Sequence, residues 1–93
     1  MAENVRIEAY FSGHVHGVGF RFTTIDIAGR FPEIGGFVRN LPDGRVEVIA
    51  EGPEERLIAF IAAVGEEMGP YIRRVDKKLI AAIGEFSGFR VAR

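Results

Sequence analysis

The segment Ser12–Phe22, SGHVHGVGFRF, carries Gly13, Gly17 and Gly19 and then, almost at once, Arg21. Glycine lets a loop turn its N–H groups inward, and successive inward N–H groups form a concavity that binds anions. A helix beginning near Phe20 adds its unpaired N–H groups and the positive end of its dipole. Arg21 adds a planar fork of donors that matches phosphate oxygens. An arginine in the first helical turn opposes the dipole, so stability alone does not favour it there. The three preferences converge on one ligand type, a phosphate-like anion. The competing reading is a plain glycine turn with Arg21 solvated or paired to Asp26. The segment lacks the lysine and Ser/Thr of a nucleotide P-loop, and its glycine spacing does not fit a dinucleotide fingerprint.

Asn40 stands just before the turn residues Pro42-Asp43-Gly44. Asparagine near a turn commonly bonds to the local backbone. It also offers a neutral amide that holds a water by donating and accepting together, without repelling a bound anion. His14 and His16 lack a convincing third ligand for zinc, so no metal site is expected. His14 reads as exposed, and His16 as a structural loop histidine.

The elements that must hold these residues follow from periodicity. Val5, Ile7, Ala9 and Phe11 alternate with Arg6, Glu8, Tyr10 and Ser12, which is a half-buried strand. Phe20, Thr24, Ile27, Ala28 and Phe31 share one helical face, with Pro32 and Gly35-Gly36 ending the helix. GFVRNLPDGRVEVIAEG is a hairpin around Pro42–Gly44. A second helix opens at Gly52-Pro53, with Glu54 and Glu55 in its first turn where the dipole favours them. Its apolar stripe is Leu57, Phe60, Ile61, Val64 and Met68, and Gly65 or Gly69 can end it. A charged strand spans Ile72 to Ile80, and EFSGFRVAR supplies a last strand with Phe89 and Val91 expected to face the core. The order βαββαβ, with one further strand possible, is that of an α+β ferredoxin-like sandwich. Two helices then cover one face of an antiparallel sheet, and the other face is expected to be open to water.

The chain of 93 residues suits one domain, 1–93. No apolar run reaches the roughly 20 residues of a membrane span, and MAENVRIEAY has no signal-peptide pattern. There is no cysteine, which excludes disulfides and thiol chemistry. These features lead to the expectation of a cytoplasmic protein with no membrane partner. The net charge of −1 argues against non-specific nucleic-acid binding. Tyr10 has the parity of a base-stacking residue, yet no aromatic ribonucleoprotein motif accompanies it. Arg73, Arg74, Lys77 and Lys78 read as a solvated strand edge, where lysine discourages strand-to-strand association.

GHVHGVGFR, Gly13–Arg21, together with GFVRNLPDG, Gly36–Gly44, closely resembles the acylphosphatase family. Both motifs occur in order, and the resemblance extends over almost the whole chain, including Arg74–Asp76 and the aromatic C-terminal strand. It implies the ferredoxin-like fold and hydrolysis of acyl phosphates to a carboxylate and inorganic phosphate. It implies no metal or organic cofactor. Carried over by position, Arg21 binds the substrate phosphate and Asn40 orients the attacking water. The backbone of His14, Val15, His16, Gly17, Val18, Gly19 and Phe20 cradles the phosphate. The expected partner is a small acyl phosphate, bound by a monomer. The chain departs from the family pattern at His16, where glutamine is usual, and at Phe37, where tryptophan is common. The stretch from Arg21 to Asn40 is also slightly longer than usual, near Phe31–Ile34. The alternative function is a non-catalytic phosphate-binding or regulatory module of the same fold.

Overall fold

The computed structural model describes residues 3–93. The elements run β1 (Asn4–Gly13), α1 (Phe20–Ala28), β2 (Gly35–Asn40), β3 (Val46–Pro53), α2 (Glu54–Met68), β4 (Ile72–Ala81) and β5 (Phe89–Val91). A short 3₁₀ turn, Gly69–Tyr71, joins α2 to β4. The sheet order is β4-β1-β3-β2-β5. β3 lies antiparallel to both β1 and β2, and β1 also pairs antiparallel with β4. Each helix thus connects two like-directed strands that have another strand between them, the split βαβ arrangement.

One face of the sheet carries Ile7, Ala9, Phe11, Val38, Val46, Val48 and Ala50 into a core closed by the two helices. α1 contributes Phe20, Thr24, Ile27 and Ala28, and α2 contributes the expected Leu57, Phe60, Ile61, Val64 and Met68. Thr24 is tolerated in this apolar stripe because its hydroxyl donates to the Phe20 carbonyl one turn back, at 2.8 Å. α1 stops at Ala28, before Phe31. Phe31 still packs on the core, edge-on to Phe60 with ring centroids 5.9 Å apart. Gly65 stays inside α2, and Gly69 is the residue that follows its end.

Three expectations are corrected. First, β5 pairs parallel with β2, so the sheet is mixed. Second, Val91 is exposed, and of that strand only Phe89 reaches the core. Third, the outer face of the sheet is not simply open to water, because β3 is buried on both sides, with Glu47, Ile49 and Glu51 all under cover. Residues 82–88 cause the mixed pairing and cover the Glu51 end of this face, while Arg39 pairs with Glu47 towards the other end. Residues 82–88 leave β4 at one edge, cross the outer face, and deliver the chain to the far edge running in the direction of β2. Glu51 anchors this strap by accepting from the N–H groups of Ile83 (2.8 Å) and Gly84 (2.9 Å). Phe86 in the strap stacks edge-on against Phe37, and the Arg6 guanidinium lies over the Phe86 ring. Arg6 also reaches Glu51 at 3.3 Å and Glu85 at 2.9 Å. The basic residues of β4 do lie exposed on an edge strand.

Burial by itself would push the Glu51 carboxyl up, but the two strap N–H groups and Arg6 outweigh it and hold the carboxyl below its usual range. A folded-state value below the unfolded value of about 4.3 gives stability that is present above that pH and lost as acid protonates the group. Glu51→Gln should therefore cost about 1–3 kcal/mol near neutral pH, as removal of a buried charged acceptor does. Denaturant unfolding of both proteins from neutral pH down to about pH 3 checks this, because the gap between them should narrow on acidification. A gap independent of pH would mean that the carboxylate charge does not anchor the strap.

Candidate active site

The ladders dictate where the chemistry-bearing residues meet. β1 runs antiparallel to β3 with Phe11 opposite Val46, and β2 runs antiparallel to β3 with Asn40 opposite the same Val46. The end of β1, the start of β3 and the end of β2 therefore lie at one end of the sheet. The glycine loop leaves β1 at that end, and α1 begins there. Asn40 has the parity of Val38, so it faces the helix side. Phe31–Ile34, the slightly longer stretch, lies before β2 at the opposite end, and the registered β2–β3 ladder separates it from Asn40.

Gly17 (φ +73°) and Gly19 (φ +78°) are both left-handed, and nothing lies within 4 Å of where a Cβ would sit. Backbone conformation, and not lack of space, therefore calls for glycine at these positions. Gly19 is the N-cap of α1 and supplies no side-chain cap, and there is no acidic residue in the first turn. The first helical bond is from Thr23 N–H to the Gly19 carbonyl, at 2.9 Å. Between Val15 and Phe22, no backbone N–H has a hydrogen-bond partner among the described residues. α2, by contrast, places Glu54 and Glu55 in its first turn.

These groups border a concavity of about 190 Å³ lined by Val15, Gly17, Gly19, Phe20, Arg21, Phe22 and Asn40. Arg21 and Asn40 are half-buried there. Among the described residues Arg21 makes no ion pair, and Asp26 instead sits 4.0 Å from Arg30. The concavity thus gathers a helix N-terminus, an arginine and a row of donors, with no carboxylate to neutralise them.

Of the residues singled out from sequence, His14, His16 and Val18 do not line the concavity. His14 is exposed, and its N–H bonds to the Tyr71 carbonyl at 2.9 Å, which fixes the start of the loop. Val18 packs against the core. His16 reaches across to the β2–β3 turn, where its Nε2 lies 3.0 Å from the Arg45 carbonyl and donates to it. The same carbonyl accepts from Leu41 N–H at 2.8 Å, closing the turn that follows Asn40. One oxygen therefore ties the loop to the hairpin. Arg45 is itself held by Asp43, which accepts from its N–H (3.0 Å) and its Nε (2.8 Å), and these bonds hold the Asp43 carboxyl below its usual range. Phe22 lines the concavity but was not singled out from sequence. The available signal was an aromatic residue in the first turn, off the helix's apolar stripe.

A family model described as Acylphosphatase matches residues 7–91. An acylphosphatase of Nocardia farcinica is 57% identical over 88 residues, covering 91% of this chain and 85% of that protein. One from Acidothermus cellulolyticus is 42% identical over 96 residues, covering 97% of this chain and 89% of that protein. The crystal structure of an acylphosphatase from Bacillus subtilis superposes with a TM-score of 0.85 at 28% identity, over 96% of this chain and 99% of that one. The two sequence motifs, the strand order and these matches agree, and the chain belongs to the acylphosphatase family.

Proposed function

We propose that the chain hydrolyses acyl phosphates, with the phosphate held by the loop backbone and Arg21 and the attacking water oriented by Asn40. The observation that carries this reading is the single concavity in which unpaired N–H groups, Arg21 and Asn40 meet without a neutralising acid. The donors are the unpaired N–H groups of the lining residues from Val15 to Phe22, since that of His14 is engaged with Tyr71 and His16 and Val18 lie off the concavity.

The reaction asks little of the protein. Water forms a bond to phosphorus as the bond to the acyl oxygen breaks, and a carboxylate leaves without needing a proton. The proton lost by the water passes to a non-bridging oxygen of the phosphate itself. What remains for the protein is placing the water in line and stabilising charge on the phosphoryl oxygens. Arg21 and preorganised N–H donors meet the second need at no reorganisation cost. Asn40 meets the first with one donor and one acceptor. His16 keeps the two halves aligned through the Arg45 carbonyl.

Arg21→Ala should lose both phosphate affinity and turnover, whereas Asn40→Ala should lose turnover and largely keep phosphate affinity. Each should cost on the order of 3 kcal/mol in transition-state stabilisation, the scale of one oxyanion donor. Hydrolysis of benzoyl phosphate with chelator present, alongside calorimetric titration with inorganic phosphate, separates the two roles. A folded protein that binds phosphate but turns over no acyl phosphate would favour a non-catalytic phosphate-binding module. Near-normal rates in Asn40→Ala would remove the water-orienting role.

His16→Ala should lower kcat by about tenfold, since small misplacements of reacting groups cost that much or more. His16→Gln should restore most of it, because a glutamine amide can donate to the same carbonyl. Equal losses in both variants would show that the bond to Arg45 is not what matters at His16.

A further inference from the structure

Phe22 is the most exposed of the large apolar side chains among the described residues, at 76%. Two residues after Phe20, it lies about 200° around the helix from that core side chain, so α1 turns it away from the core. A single exposed apolar residue is ordinary on a protein surface. The place of this one is not, because it lines the same concavity as Arg21 and Asn40.

The other walls narrow what a ligand can touch. Gly17 and Gly19 present no side chain. Val15 and Phe20 belong to the core, at 1% and 2% exposure, and Phe20 is stacked on Phe11. Three side chains remain: Arg21, Asn40 and Phe22. On the proposed reading, Arg21 and Asn40 are committed to the phosphate and the water. The organic part of an acyl phosphate must then leave the concavity over its rim, where Phe22 is the one large apolar surface among these lining residues. Its ring has no donor or acceptor with which to reward a polar acyl group. It offers an aromatic or bulky apolar group area to bury and an aromatic partner to stack on.

We infer that Phe22 is the residue by which this chain discriminates among acyl groups, and that it favours acyl phosphates whose organic part is aromatic. The inference rests on the phosphate-holding reading of the site, so its test is read out by binding and does not need turnover. Phenacylphosphonate and acetonylphosphonate are acyl phosphate analogues with a methylene in place of the bridging oxygen. They cannot be hydrolysed and differ only in a phenyl for a methyl. Titration calorimetry of each into the wild-type protein, Phe22→Leu and Phe22→Ala gives a ratio of dissociation constants for each protein.

The wild-type protein should prefer the phenacyl compound by about tenfold, a typical discrimination for an apolar contact. The preference should shrink in Phe22→Leu and fall to within about twofold in Phe22→Ala, with thermal unfolding midpoints little changed for so exposed a residue. A ratio that is the same in all three proteins overturns the assignment, as does a wild-type protein with no preference. Binding with the expected ratios but no hydrolysis of benzoyl phosphate would uphold Phe22 while overturning the catalytic reading. Absence of binding by either phosphonate would overturn both.

Discussion

Two antiparallel ladders that share β3 decide where everything else in the molecule can go. Because β1 and β2 both run against β3, their C-terminal ends meet at one end of the sheet, and both Phe11 and Asn40 lie opposite Val46. Everything chemical follows from that register. A slip of one residue in β2 would turn Asn40 to the outer face and take it away from the loop. That register is strongly specified, since the same slip would carry Val38 out of the core and turn Phe37 and Arg39 into it.

The site built at that end accepts a local cost in stability. α1 starts without a side-chain cap or an acidic residue, on a left-handed glycine, with Arg21 where the helix dipole disfavours it. α2 of the same chain has the conventional arrangement, with a proline before it and glutamates in the first turn. An anion bound in the concavity would supply both the missing cap and the missing counter-charge. The Arg45 carbonyl, accepting from His16 and from Leu41, is the short-range counterpart of the ladder. It ties the donor loop to the hairpin that presents Asn40.

The site was more legible in the sequence than the outer face of the sheet. Arg21 and Asn40 stood out because their residue types disagree with, or exceed, what their local structure requires. Phe22 did not, since an off-stripe aromatic residue is unremarkable until its position beside a concavity is known. The strap over the outer face was not legible either. Residues 82–88 make few regular bonds of their own and carry no periodicity, and their order comes from Glu51, Phe37 and Arg6, which are distant in sequence. The cover over β3 was not legible for the same reason, because Glu47 and Glu51 meet Arg39, Arg6 and the strap only in the folded sheet.

By itself, the sequence determined what depends on neighbours along the chain. That covers the elements and their order, the left-handed glycines, the apolar stripes of the helices and the anion-seeking character of Gly13–Arg21, because periodicity, backbone freedom and dipole direction act over a few residues. Only the tertiary structure decided that β5 pairs parallel with β2, that Val91 faces water, that the strap covers the Glu51 end of the outer face, and that His16 serves the hairpin and not the concavity. Each of these depends on contacts between residues far apart in the chain. Their energies come from burial and from hydrogen bonds between groups that only the completed sheet brings together.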